Sequence, residues 1–112
     1  MPLLPNHESA IIDPLKLRDY ILSLTHPVGR FKAKFFQQAG YVQRSWQTLE
    51  KDVKEQHLLK DARKGEPSPF GQKYEITAPL KGPNSVVIVV TSIWIILNGE
   101  DTPRLVTIVP GG

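Results

Sequence analysis

Cysteine is absent from the 112 residues, which excludes disulfides, thiolate metal sites and a cysteine nucleophile together, and makes a reducing compartment natural. A phosphate-binding glycine-rich loop is also missing, because Gly65, Gly71 and Gly82 stand alone as turn glycines. No serine, histidine and aspartate fall at a recognisable catalytic spacing. His7, His26 and His57 are scattered along the chain without carboxylates placed beside them, so neither a metal nor any other cofactor is expected. The one long apolar stretch, Val86 to Leu97, is too short to cross a bilayer as a helix and reads as a strand. The opening residues, Met-Pro-Leu-Leu-Pro-Asn-His-Glu, lack the basic start and apolar run of a signal peptide. The expected compartment is the cytoplasm, with no membrane partner.

What remains is ordinary for one folded unit: 40% hydrophobic residues in a length that supports a single core. Residues 1–9 are expected to be a flexible N-terminus and residues 10–112 a single domain. Asp13-Pro14 is a strong helix start, an N-cap followed by proline at the first position. Leu15, Leu17, Ile21, Leu22 and Leu24 then predict an apolar stripe ending near Thr25. A second helix is predicted over 28–39, with Phe31, Phe35, Phe36 and Ala39 as its buried face and Gly40 as its cap. A third runs from Ser45 to about Ala62, with Trp46, Leu49, Val53 and His57 on one side.

Lys64-Gly65-Glu66-Pro67-Ser68-Pro69 breaks this pattern, and strand signals follow. Lys73 to Leu80 alternates, Lys81-Gly82-Pro83-Asn84 is turn chemistry, and Val86 to Leu97 reads as a central strand covered on both faces. Asn98 to Asp101 makes a second turn before a last strand, Arg104 to Val109. Helices first and short-linked strands afterwards define an α+β fold: three N-terminal helices, then an antiparallel β-meander of three to four strands.

Charge is uneven along the chain. Residues 14–44 hold six cations and one anion, whereas three cations face four anions from residue 66 onward. A basic helical half suits an anionic partner such as RNA; the plainer reading is two amphipathic helices with lysines on their wet faces. His26-Pro27-Val28-Gly29 sets a histidine before a helix bearing Arg30, Lys32 and Lys34. That arrangement can receive a phosphate.

The string His26-Pro27-Val28-Gly29, with Lys32-Ala33, Phe35-Phe36, Gly40 and Trp46, resembles a family of small bacterial domains of unknown function, mainly cyanobacterial. Gly71 with Tyr74, Leu80-Lys81-Gly82-Pro83, Val90 with Trp94, and Pro103 to Thr107 with Pro110 extend the resemblance over about residues 10–111. Such domains are often encoded beside another small protein, which implies a toxin–antitoxin arrangement and a small antitoxin-like partner. Their layout is similar to that of the metal-independent ribonucleases that include barnase, EndoU, the tRNA-cutting colicins and RelE. The resemblance thus implies RNA, not DNA, as the nucleic-acid partner. One departure stands out: relatives often carry a cation just after the Gly-Pro-Asn turn, where this chain has Ser85-Val86.

Metal-free RNA cleavage requires a base, an acid and cations on the charged phosphorane. Histidine is the residue type whose unperturbed pKa suits the proton transfers at neutral pH, which nominates His26; Lys32 is the motif lysine, and Thr107 can donate from the last strand. These three are the expected catalytic residues, with Arg30, Lys34 and Arg104 as RNA-binding cations. The competing reading makes His26 a helix-junction cap, the lysines solvated and Thr107 a plain strand residue. The chain would then be a non-catalytic protein-interaction module.

Overall fold

Asp13 and Pro14 open the first helix as their chemistry requires. In a computed structural model that describes residues 2–111, the Asp13 carboxylate accepts the Leu15 N–H at 3.0 Å and proline takes the first helical position. The helix, α1 (Pro14–Lys16), widens at once into a π-helical turn, Leu17–Ile21, where the Leu22 N–H reaches back five residues to Leu17 O at 2.8 Å. It stops short of the expected Thr25. The Ser23 hydroxyl there accepts the N–H groups of Thr25 and His26 at 3.3 and 3.2 Å, a local bond that competes with helix.

The second helix, α2, is Gly29–Gln37, and the third, α3, is Trp46–Asp52, extended by another π-helical turn at Val53–His57. The expected face of α2 needs correction. Phe36 is fully buried and Ala33 nearly so, Phe35 is half-buried, and Phe31 is 63% exposed. Phe36, not Phe31, anchors this helix. The N-terminal segment also reaches the core. Leu4 is buried in the core, and Pro2 O accepts the Ala62 N–H at 2.9 Å.

Strands β1 (Arg63–Ser68), β2 (Gly71–Lys81), β3 (Val87–Leu97) and β4 (Arg104–Pro110) form one sheet in chain order, antiparallel throughout. The fold is therefore α+β, with helices in the first half and strands after them. β1 occupies the segment read as a break. Its register shifts between Lys64 and Pro67, and a proline on an edge strand removes no internal ladder bond. β1 pairs β2 only up to Glu75. Farther along, at Lys81, the Gln56 side chain takes both backbone groups: its amide donates to Lys81 O at 3.0 Å and accepts the Lys81 N–H at 2.8 Å.

The helices cover one face of the sheet. Ile76, Ala78 and Leu80 from β2, Ile88, Val90 and Trp94 from β3, and Leu105 and Ile108 from β4 form the core with Leu17, Ile21, Phe36, Leu49 and Val53. The opposite face of β3 is not covered as expected: Val87 and Val89 are 56% and 41% exposed, and Ile93 and Ile95 only half-buried. An antiparallel sheet needs burial on one side only. Within the core lies one polar chain. The Trp94 indole N–H donates to Ser92 Oγ at 2.9 Å, and His57 Nδ1 lies 2.8 Å from that same oxygen. His57 Nε2 lies 3.1 Å from Ala78 O.

Candidate functional site

Gly29 explains how the candidate histidine, His26, meets the first helix. A Cβ on Gly29 would collide with the Tyr20 carbonyl oxygen, so only glycine lets the start of α2 abut the π-helical turn. Tyr20 then lies edge-on against His26, with ring centroids 4.9 Å apart and planes at 69°. Offset and edge contacts of this kind add modestly to the burial of the rings.

His26 faces the amides at the start of α2. Its Nδ1 accepts the N–H groups of Val28 and Gly29, each at 3.0 Å. Two donors that the first helical turn leaves without intrahelical partners are thereby satisfied. A ring nitrogen that accepts carries no proton, so the neutral imidazole holds its hydrogen on Nε2.

One turn into α2, the half-buried Lys32 turns its ammonium toward Tyr20 and the last strand. Nζ donates to the Tyr20 phenol oxygen at 2.8 Å and to Thr107 Oγ1 at 2.7 Å, and lies 4.7 Å from the Tyr20 ring centroid. The hydrogen bond from Lys32 holds the Tyr20 phenol below its ordinary pKa; burial opposes this, while Thr107 and the charges of Lys32 and Lys16 reinforce it. Thr107 reaches the cluster from β4, next to a register shift that opposes Trp94 with Leu105 and Ile93 with Thr107. That extra residue also turns Leu105 and Ile108, three apart instead of two, into the core.

His26, Lys32 and Thr107 are thus neighbours in one network joined by Tyr20. The three cations expected at its rim behave differently. The Arg30 guanidinium sits 4.8 Å from the Phe31 ring centroid, Arg104 Nε donates to Glu100 at 3.1 Å, and Lys34 is exposed. A groove of about 300 Å³, lined by Asp13, Leu15, Lys16 and Tyr20, opens against the same tyrosine.

Tyr20 was not among the residues expected from the sequence, where it is one more position on an amphipathic helix. Its only local signal is Gly29, and that glycine's purpose emerges through a tertiary contact. The Leu80-Lys81-Gly82-Pro83 block plays another part. Gly82 lies against the Ala39 carbonyl, and the Asn84 amide donates to Gln38 O at 3.0 Å. The turn therefore docks on the C-terminal end of α2, a helix length from His26. Ser85-Val86, which follows this turn, belongs to that junction and not to the cluster. Among the described residues no group of three or more histidines, cysteines or carboxylates could hold a metal ion. None of the described helices is long and apolar enough to cross a membrane.

The model of a family described as a domain of unknown function, DUF6883, matches residues 3–112, and the chain belongs to that family. No curated protein matches the chain, and no solved structure does.

Proposed function

We propose that this member of the DUF6883 family is a small cytoplasmic endoribonuclease of the toxin kind, or the descendant of one, working without metal at the Tyr20–Lys32–Thr107 cluster. The observation that supports the reading is the position of Lys32 Nζ, within 2.8 Å of a phenol and 2.7 Å of a strand hydroxyl. Tyr20, held toward phenolate by the lysine hydrogen bond, takes the proton of an RNA 2′-hydroxyl. That oxygen bonds to phosphorus as the bond from phosphorus to the 5′-oxygen breaks, leaving a 2′,3′-cyclic phosphate and a free 5′-hydroxyl. Lys32 and Thr107 donate to the charged phosphorane oxygens. The Nε2–H of His26 donates a hydrogen bond that stabilises the departing oxygen, which takes its proton from water, while Arg30, Lys34 and Arg104 draw the backbone in from the rim.

The alternative, a non-catalytic interaction module that binds a small antitoxin-like protein, has one observation in its favour. Every member of the cluster is already held by another, and His26 caps a helix, as a purely structural network would require. Purified protein incubated with total RNA in EDTA distinguishes the two. The ribonuclease reading expects cleavage that Tyr20→Phe and His26→Ala each lower by about a hundredfold or more, with melting little changed in Tyr20→Phe and lowered in His26→Ala by only about the roughly 1 kcal/mol of a lost helix cap. Intact RNA, or equal cleavage by wild type and Tyr20→Phe, sinks it in favour of the module.

A further inference from the structure

Phe31 is the aromatic side chain that α2 turns away from the core. The buried Gly29, Ala33 and Phe36 share one side of the helix. At 3.6 residues per turn, the remaining side chains follow round it in the order Lys32, Phe35, Phe31, Lys34 and Arg30. Val28, one place before the helix, lies beside Phe35 in that order. Phe31 stands opposite the buried side, and Val28, Arg30 and Lys34 are exposed with it. The Arg30 guanidinium sits over the Phe31 ring, 4.8 Å from its centroid, yet the residue keeps 63% of its surface in solvent. A single exposed ring is common on proteins; the charges around this one set it apart. No aspartate or glutamate occurs between Tyr20 and Trp46, and the ring has Lys32 toward one side and Lys34 and Arg30 toward the other.

We propose that Phe31 is a stacking platform for one base of single-stranded RNA, close to the nucleotide whose phosphate meets Lys32. The inference rests on the ribonuclease reading for the place of the cut, and on the ring and its cations for the binding. Every base has a π-face, so an aromatic side chain set among phosphate-binding cations holds single strands with little regard to sequence. The planar guanidinium of Arg30 adds a cationic surface at the same spot. A backbone that enters over Arg30 and Lys34 passes Phe31 before it reaches Lys32, one residue on and about 100° round the helix. Paired bases are already stacked on one another, so the platform selects unpaired segments. A protein partner suits the spot less well. Its exposed apolar part is one ring and one valine wide, far short of the roughly 800 Å² that a stable protein contact covers on each side.

Fluorescence anisotropy tests the proposal on the full chain, with a labelled single-stranded RNA whose 2′-hydroxyls are replaced by fluorine so that it cannot be cut. Cleavage of the unmodified strand in EDTA is scored beside it. Phe31→Leu keeps an apolar side chain but loses the π-face, and at about 0.1 M salt should raise the Kd by about tenfold or more. Phe31→Trp should stay within about threefold of wild type. Phe70→Leu, at an exposed ring in the β1–β2 turn, should leave binding unchanged. Equal binding by wild type and Phe31→Leu, or a wild type that does not bind the strand, overturns the platform. Cleavage accompanied by equal binding leaves the ribonuclease reading standing without it. Binding that Phe31→Leu weakens, with no cleavage by wild type, supports the platform and removes the ribonuclease.

Discussion

Two polar clusters in this molecule are built from the same parts and differ in burial. Each combines a histidine, an aromatic ring that carries a polar atom, a hydroxyl from the sheet and a residue of a π-helical turn. In the core these are His57, Trp94, Ser92 and the Val53–His57 turn; at the edge they are His26, Tyr20, Thr107 and the Leu17–Ile21 turn. The core cluster is neutral and closed. Ala78 O can only accept, so His57 donates from Nε2, receives the Ser92 hydroxyl at Nδ1, and Ser92 in turn receives the indole N–H. The edge cluster contains a lysine, keeps an Nε2–H and lies beside a groove. Similar chemistry serves rigidity when sealed and is available for work when left at the surface.

That contrast predicts its largest effect in the core. His57→Ala opens a cavity and strands Ser92 and Ala78 O, and should cost about 3 kcal/mol by chemical denaturation. Ser92→Ala should follow at about 2 kcal/mol, because the indole N–H loses its acceptor, whereas Thr107→Ala should cost no more than about 0.5–1 kcal/mol. Equal losses at Ser92 and Thr107 would erase the distinction between the clusters.

Proton linkage sharpens it further. Burial pushes the His57 pKa below the ordinary histidine value of 6.5, so below that pH the unfolded chain takes up a proton that the folded chain resists. Stability should be unaffected by His57 above about pH 6.5 and should decline as pH falls beneath it; His57→Gln should flatten that decline. Tyr20 runs the other way. Its lowered phenol pKa means the folded chain releases a proton before the unfolded one, so its contribution grows as pH rises through the folded value toward the ordinary phenol value of 10.0 and fades as pH falls. Ultraviolet difference titration of wild type against Tyr20→Phe should show ionisation starting below pH 10, moving up in Lys32→Ala. Phe31→Ala, outside both clusters, should shift stability by less than about 0.5 kcal/mol.

Much of this architecture was readable in the chain, and the failures share a cause. Asp13-Pro14 and the turns at Lys81–Asn84 and Asn98–Asp101 carry their chemistry locally, so the first helix start and β2 to β4 were legible. β1 was not, because Gly65 and Pro67 are breaker residues that only an edge position and a register shift accommodate. Val87 and Val89 were read as buried because β-branched residues look alike whether a strand face is covered or open. Phe31 and Phe36 both fit a broad apolar helix face, and only the placement of the helix chose Phe36. His26 and Lys32 were visible as a charged block before and within one helix. Their link to Thr107, 75 residues beyond Lys32, and to Tyr20 depends on tertiary contacts that no spacing encodes.

The most direct test of the edge cluster's role is a paired measurement on Lys32→Gln: cleavage of single-stranded RNA in EDTA and thermal melting, on the same preparation. Loss of the shared ammonium should lower cleavage by about a hundredfold or more, with a melting shift of no more than about 4–8 °C, the equivalent of roughly 1 kcal/mol. A variant that melts as far below wild type as Ser92→Ala does, with RNA untouched by either protein, would contradict the account and make the edge cluster a second structural network.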